Sequence, residues 1–458
     1  MTSGGGAVSR DDDVRRAVAR DASGLELIPE AVARPREEAE VVELVSAAVR
    51  DGGSITPAGG QTSTTAASIT DRGTLLSLRA LDRVIEVDEE ANVARVQAGV
   101  LLGDLKRMLA QRGLLFAPDP TSEDDVTVGG AIACNASGAR SLRYGATRPH
   151  VLGLRVALAD GTVADVRRSG LEKNTAGFAA AQEPVDWFVG SEGTLGVILE
   201  AELSLLPLPH SVTGLGIPFS SEDEALRFVA AARQSREVSP RCLEFLDAGA
   251  FDIARTSRGE AWAEDAKAFV YAEEVPGHDE EPALDAWLAL AESHGARDAD
   301  VVVFQGESEL RDARKMRHAV PAAMHERAAP YRVHGGRRVS TDWAVPYRKL
   351  PGAIAHSRAL ATAAGIEQAV TFGHAGNGHP HQNYVARSSE ELARIESVVE
   401  QTLRHVISLG GTVAAEHGIG KLKRKWLPLQ MSATQLRVMQ GLKNALDPQG
   451  VLAPGNVL

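Results

Sequence analysis

TVGGAIACNASGARSLRYG, residues Thr127 to Gly145, is the stretch on which the fold of this chain turns. Its four glycines, Gly129, Gly130, Gly138 and Gly145, leave backbone amides bare enough to approach a diphosphate, and nearby hydroxyls add donors. One such cluster by itself reads equally well as a tight turn. Two more accompany it, PAGGQTSTT at Pro57 to Thr65 and GSEGTLG at Gly190 to Gly196, each with small hydroxyl residues. Three loops of this kind together point to an enclosed dinucleotide. GSEGTLG spaces its glycines as GxxGxxG and leads into an apolar strand, whereas a Rossmann fold needs strand, GxGxxG and helix. No Walker lysine follows any of the loops, so nicotinamide and ATP both lose ground.

Around these loops the pattern is that of a mixed fold. Val41, Val42, Leu44, Val45, Ala48 and Val49 recur at helical spacing and Gly52-Gly53 ends the run, which predicts an amphipathic helix of about four turns. Ser54 to Pro57 runs extended, and Leu81 to Asp88 and Val93 to Ala98 read as half-buried strands. A short helix through Leu105 and Met108 ends before Gly113. Val151 to Ala159, the turn Asp160-Gly161 and Val163 to Val166 form the clearest hairpin, because Asp-Gly supplies positive φ. The strand Val197 to Leu206 runs into LLPLPH, and Pro207 to His210 is the expected domain boundary. Beyond it, helices near Glu222 to Gln234 and Leu284 to His294 alternate with strands near Lys267 to Glu273 and Val301 to Gly306, an α+β layer.

A chain of 458 residues exceeds one ordinary core, so two large domains are expected. The net charge of -12 excludes a nucleic-acid footprint. The local basic run Lys421, Lys423, Arg424 and Lys425 reads as the solvated face of a helix. Cys134 and Cys242 make neither a disulfide framework nor a metal cluster, which suits a cytoplasmic protein. The N-terminus lacks an apolar signal core, and no apolar run of about 18 residues occurs, so any membrane contact is peripheral, at the inner face. Residues 1–24 are expected to be disordered or frayed.

Two short segments concentrate histidine: TFGHAGNGHPHQNY and GTVAAEHGIG. Gly376, Gly378 and Pro380 forbid a continuous helix between His374 and His381, so a hairpin is expected, with strands ending at His374 and restarting at His381. Both imidazoles then face one point, and with Glu416 they make a three-ligand metal site with an open position, as in catalytic zinc. Glu416 and His417 share one pocket only if Gly418 and Gly420 bend the backbone. His417 has the acidity of a general base near neutral pH. His379 is the ambiguous member, able to exchange roles with His381.

These loops, together with PDPTSEDD, VGSEGTLGVI, FGHAGNGHPHQN, AAEHGIGK and LDPQGVLAPGNVL, resemble the FAD-linked oxidase family of the vanillyl-alcohol oxidase/p-cresol methylhydroxylase type. They look most like its D-lactate, D-2-hydroxyglutarate and glycolate dehydrogenase group. The resemblance runs from about residue 25 to the end. It implies an α+β fold with a two-subdomain FAD-binding domain at 25–209, a substrate and metal domain at 210–440, and a segment 441–458 that returns to the flavin. By motif it places FAD against Pro57, Gly59, Gly60, Gln61, Thr62, Ser63, Pro118, Thr121, Gly129, Gly130, Ser137, Gly138, Gly145, Glu192, Gly193, Thr194, Gly196, Val197 and Asn456. Gln61 stands in a loop where covalent members carry a His, which implies non-covalent FAD.

The same resemblance implies metal ligands His374, His381 and Glu416 for a divalent ion such as zinc, His417 as catalytic base, and Arg317 or Arg314 as partner of the substrate carboxylate. Asn377 replaces the usual Asp, and Ser340 stands where the hydroxyglutarate group carries a lysine, which argues against a second carboxylate on the substrate. The implied reaction takes a D-2-hydroxy acid to its 2-oxo acid, His417 removing the hydroxyl proton and the α-hydrogen passing as hydride to flavin. The implied partners are the hydroxy acid, an electron acceptor such as a quinone or an electron-transfer flavoprotein, and a second copy in a homodimer. The alternatives are oxidation of another secondary or amino alcohol, a flavin-free metal hydrolase, and a non-catalytic flavin-binding subunit.

Overall fold

The structure, a computed structural model, describes residues 8–258, 262–277, 281, 283–367 and 369–458. The chain divides into two compact units. The first comprises Met1–Gly138, Gly145–Leu208 and Glu416–Leu458, and the second Ala139–Tyr144 and Pro209–Ala415. The return to the first unit thus begins at Glu416, ahead of the expected residue 441, and the segment 139–144 leaves the expected first domain for the second unit.

In the first unit, β1 (Ala31–Ala33), β2 (Ile55–Ala58) and β3 (Thr74–Ser77) form a parallel sheet in the order β1-β3-β2. The helix Glu38–Asp51 makes the crossover, buries Val41 and Val45, and stops at Gly52, whose φ of 68° is the left-handed cap that glycine takes without strain. Then follow β4 (Val84–Asp88), β5 (Val93–Gln97), β6 (Leu114–Leu115), β7 (Val151–Ala157), β8 (Val163–Arg167), β9 (Val197–Ser204) and β10 (Leu206–Pro207). β6 pairs with β10, and the others make an antiparallel sheet in the order β4-β5-β9-β7-β8. One apolar cluster packs Leu105, Leu109, Val128 and Ile132 of two helices against Val96, Val156 and Leu203. Another joins Val41, Ile55, Leu76, Val197, Leu199 and Leu452, so β9 contributes to both clusters. That double burial matches the apolar start Val197–Leu199, after which Glu200, Glu202 and Ser204 alternate with the buried Ala201 and Leu203.

The second unit is built on β11 (Thr213–Phe219), β12 (Pro240–Asp247), β13 (Ala268–Glu274), β14 (Val302–Gln305), β15 (Arg338–Ser340), β16 (Ala369–His374) and β17 (His379–Val385). Their order is β14-β11-β13-β12-β16-β17-β15, and the described pairings are antiparallel. The helix Gly306–Ala328 lays Leu310, Met316, Val320 and Met324 on Leu246, Phe269, Tyr271 and Phe372. The mixture of helix and sheet is the α+β class expected from sequence.

Three further expectations are corrected. Residues 8–24 are ordered: Asp11 caps the helix Asp12–Ala17 by accepting from Asp13 and Val14 amides, Val18 and Ala19 are buried, and Ser9 pairs with Val32; residues 1–7 lie outside the described residues. The basic run is not a solvated helix face. Lys423 is buried, Lys421 Nζ donates to the Ala66 carbonyl at 3.1 Å and to Asn456 Oδ1 at 2.7 Å, and Arg424–Trp426 is a single 3-10 turn. Finally, TVGG is not wholly loop: Thr127 caps the helix Val128–Cys134, its Oγ1 accepting from Gly130 N at 3.2 Å. Among the described residues no helix is long and apolar enough to cross a membrane.

Candidate functional site

The first unit holds a cavity of about 610 Å³, within the range of ligand sites. Of the expected flavin residues, Pro57, Gly59, Gly60, Gln61, Thr62, Ser63, Thr121, Gly129, Gly130, Ser137, Glu192, Gly193 and Gly196 line it. Pro118, Gly138, Gly145, Thr194, Val197 and Asn456 are not among its lining residues. Val197 points into the core, Thr194 Oγ1 donates to the Ser191 carbonyl at 2.7 Å, and Asn456 Nδ2 donates to the carbonyls of Ala67 at 2.8 Å and Glu192 at 3.1 Å. Asn456 therefore braces two flavin loops from behind. Sequence reading missed Ala22 and Ser68, which no motif marks, and Ser122, Asp125, Cys134 and Ile198, which lie within the quoted motifs but were not singled out; all line the cavity.

Close approach of the loops explains why glycine is needed. A Cβ on Gly60 would lie 1.9 Å from the Asp125 carbonyl oxygen, and one on Gly59 2.1 Å from Thr127 Oγ1. Side chains there would force the walls apart. A cavity of this volume walled by bare backbone and by small hydroxyl residues fits a dinucleotide.

Glu416 and His417 line the same cavity, with His417 Nε2 3.3 Å from Glu416 Oε1. Gly418 and Gly420 have φ of 73° and 50°, the bend their sequence called for. The bend is fastened by Glu192, which accepts from the amides of Ile419 at 2.6 Å and Gly420 at 2.7 Å. Burial pushes the Glu192 carboxyl up, opposed by those amides and by Lys423 and Lys421.

In the second unit, His374, His379 and His381 are buried together, with ring centroids 5.3, 5.3 and 4.5 Å apart. Sequence reading placed the strand restart at His381, whereas β17 begins at His379, which pairs directly with His374 across the hairpin. The reason is Gly378: its φ of 71° completes the reversal in a single 3-10 turn, Ala375–Asn377. Glu244 on β12 anchors the cluster. His374 Nδ1 donates to Glu244 Oε1 at 2.5 Å, while Arg317 holds Glu244 Oε2 with Nε at 2.7 Å and meets His374 Nε2 with NH2 at 3.2 Å. Because a guanidinium only donates, His374 Nε2 carries a lone pair and the proton sits on Nδ1. His381 Nδ1 likewise donates to the Thr341 carbonyl at 3.3 Å, and His379 Nε2 lies 3.1 Å from Asp342 Oδ1.

Burial pushes the Glu244 carboxyl up, but His374 and Arg317 outweigh it and hold the group down at about 2. Two buried imidazoles backed by oxygen acceptors, with a third beside Asp342, fit the donor set of a borderline metal such as zinc. Glu244, Thr341 and Asp342 were not foreseen. The signal was an acid, Glu244, set in the otherwise apolar run CLEFL. Arg314 turns to a different carboxylate, Glu273, at 3.3 Å.

Comparison with known proteins bears on the fold and the cofactor. The family described as "FAD linked oxidases, C-terminal domain" matches residues 208–457, and "FAD binding domain" matches residues 29–167. The chain is 31% identical to the glycolate oxidase subunit GlcD of Bacillus subtilis (strain 168), over 94% of this chain and 89% of that one. It is 32% identical to a D-lactate dehydrogenase of Archaeoglobus fulgidus, over 93% and 91%, and 29% identical to a D-2-hydroxyglutarate dehydrogenase of Xanthomonas citri pv. viticola, over 94% and 89%. Among solved structures an alkyldihydroxyacetonephosphate synthase superposes with a TM-score of 0.71 at 18% identity, over 98% of this chain and 82% of that one, a likeness of fold. With a dinucleotide cavity walled by the expected loops and family matches over both parts of the sequence, the chain belongs to the FAD-linked oxidases and is an FAD-dependent oxidoreductase.

Proposed function

We propose that the protein oxidises a small D-2-hydroxy acid to its 2-oxo acid, with FAD held non-covalently and a divalent metal, zinc by its donor set, held by His374, His381 and Glu416. The observation that carries this reading is the pair Arg317 and His374, a guanidinium and an imidazole lone pair 3.2 Å apart under cover and both tied to Glu244. A 2-hydroxy acid presents a carboxylate and a hydroxyl on adjacent carbons, and Arg317 can address the first while a metal held on the His374 lone pair would address the second. The names of the curated relatives, among them glycolate oxidase and D-lactate dehydrogenase, point the same way.

Arg317 holds the substrate carboxylate, its planar fork suited to bidentate recognition. His417, beside Glu416 in the cavity wall, takes the hydroxyl proton on its imidazole. Glu244 keeps His374 in the tautomer that presents Nε2 and keeps Arg317 from swinging away. His379, which stands next to Asp342, serves as a further imidazole for the metal. The metal would supply Lewis acidity that lowers the hydroxyl pKa, and FAD would supply the two-electron sink.

The test is anaerobic bleaching of the purified yellow protein by a panel of D-2-hydroxy acids, alditols and aryl alcohols, with and without a chelator. Reduction by the hydroxy acids alone, lost on chelation, is expected. His417→Ala should keep the flavin spectrum and slow reduction by about 10²- to 10⁴-fold. Unchanged kinetics in that variant remove His417 from the reaction.

A further inference from the structure

We infer that Arg338 on β15 and Asn383 on β17 form an anion subsite that takes a phosphate ester at the far end of the 2-hydroxy acid. The inference rests on the function proposed above and narrows its substrate class.

Two covered donors stand there without an acceptor. Asn383 is fully buried and its Oδ1 accepts from Arg338 Nε, while among the described residues nothing accepts from its Nδ2. Arg338 is half-buried, and among the described residues neither of its terminal amino groups meets an acceptor and no carboxylate pairs with it. Burial pulls its guanidinium down to about 10. Unpaired donors under cover are costly, and two side by side are what a site for an oxygen-rich ligand presents. Further basic groups gather at the same place. Burial, then Arg338 and Arg332, pushes the His325 imidazole down.

Strand register ties this pair to the histidine cluster. Ser340 pairs with Asn383 and Arg338 with Val385, and alternate residues of a strand share a face, so Arg338, Ser340, Asn383 and His381 look the same way. Asn383 follows His381 by two residues, about 7 Å along β17. Ser340, short and exposed opposite Asn383, leaves the place open to a ligand.

A phosphate suits these donors better than a carboxylate does. The terminal amino groups of Arg338 and Asn383 Nδ2 carry about six hydrogens, against about four acceptor positions on a carboxylate. A phosphate monoester brings three terminal oxygens and a charge of about -1.5 to -2 near neutral pH, which answers the surplus donors and the second guanidinium, Arg332. With the 2-hydroxyl at the histidines, a phosphorus on the 3- or 4-oxygen lies four or five bonds away, roughly 5 to 6 Å when extended at about 1.2 Å per bond. Its oxygens reach the Arg338 fork, whereas glycolate and lactate end short of it.

The experiment compares anaerobic flavin reduction by D-glycerate with D-3-phosphoglycerate, and by D-erythronate with its 4-phosphate, in the wild type and in Arg338→Gln. D-2-hydroxyglutarate is run beside them. The wild type is expected to prefer a phosphorylated acid over its parent by roughly 10- to 100-fold in second-order rate constant, the value of charge-assisted hydrogen bonds. That ratio should collapse toward one in Arg338→Gln and recover in part in Arg338→Lys. A wild-type ratio near one for both pairs, a ratio that Arg338→Gln leaves unaltered, or faster reduction by D-2-hydroxyglutarate than by either phosphate overturns the subsite. If no hydroxy acid reduces the flavin, the proposed function falls, and calorimetric binding of 3-phosphonopropionate against propionate and inorganic phosphate decides the subsite separately. Tighter binding of the phosphonate that is lost in Arg338→Gln upholds it, and equal binding of propionate or of inorganic phosphate overturns it.

Discussion

Lys421 shows what a single residue carries that its place in a basic run conceals. Burial lowers its ammonium from the usual 10.5 to about 8, against the pull of Asp21 and Glu192. The folded chain therefore releases this proton before the unfolded chain does, so stability rises as pH climbs from about 8 to 10.5 and is lost again as it falls. Relative to Lys421→Met, the wild type should gain about 3 kcal/mol across that window, read from urea titrations at fixed pH. A flat difference would place Lys421 in water. His379 offers a second residue-scale expectation. Cobalt(II) titration of metal-free protein, followed by visible absorption, should show about 10- to 100-fold weaker binding in His379→Asn. Unaltered affinity and band shape would leave His379 a packing residue beside Asp342.

At the scale of elements, glycine positions separate geometry from mere propensity. Gly420 has a φ of 50°, and a Cβ there would fall 2.2 Å from the Thr65 carbonyl oxygen, so Gly420→Ala should unhook the Glu192 clasp. We expect a loss of about 2 to 4 kcal/mol and poor FAD retention, measured by thermal unfolding and by flavin content after gel filtration. Gly352, inside the helix Leu350–Ala363 with nothing near its Cβ position, is the contrast: Gly352→Ala should raise stability by up to about 1 kcal/mol. Elements with a strong period or a turn signal were legible in the sequence. The helix closing at Gly52 and the Asp160-Gly161 hairpin are examples, because local sterics alone dictate them. The hairpin through His379 was misjudged by its length. One glycine in the left-handed region shortens a loop in a way that composition does not reveal.

For the whole molecule, the last residues should matter out of proportion to their number. Ile55 pairs with Leu452, and Asn456 bonds the loop at Ala67 and the Glu192 carbonyl, so removing 451–458 strips one β-bridge and one brace from the first unit. The shortened chain should be expressed without visible flavin absorbance, and full retention of FAD would show the tail to be dispensable. The sequence by itself determined the α+β class, an enclosed dinucleotide and the histidine-rich hairpin, because glycine loops and turn residues act through backbone sterics within a few positions, while the resemblance of its motifs to the FAD-linked oxidases named the dinucleotide as FAD. Only the tertiary structure decided that Glu244 would set the tautomer of His374, that Lys421 would be partly buried, and that Arg140, Arg241 and Arg314 would share Glu273. Those roles depend on strand register and on helix placement between residues far apart in the chain, and pairing of that kind is fixed by the packing of the core rather than by any local run of amino acids.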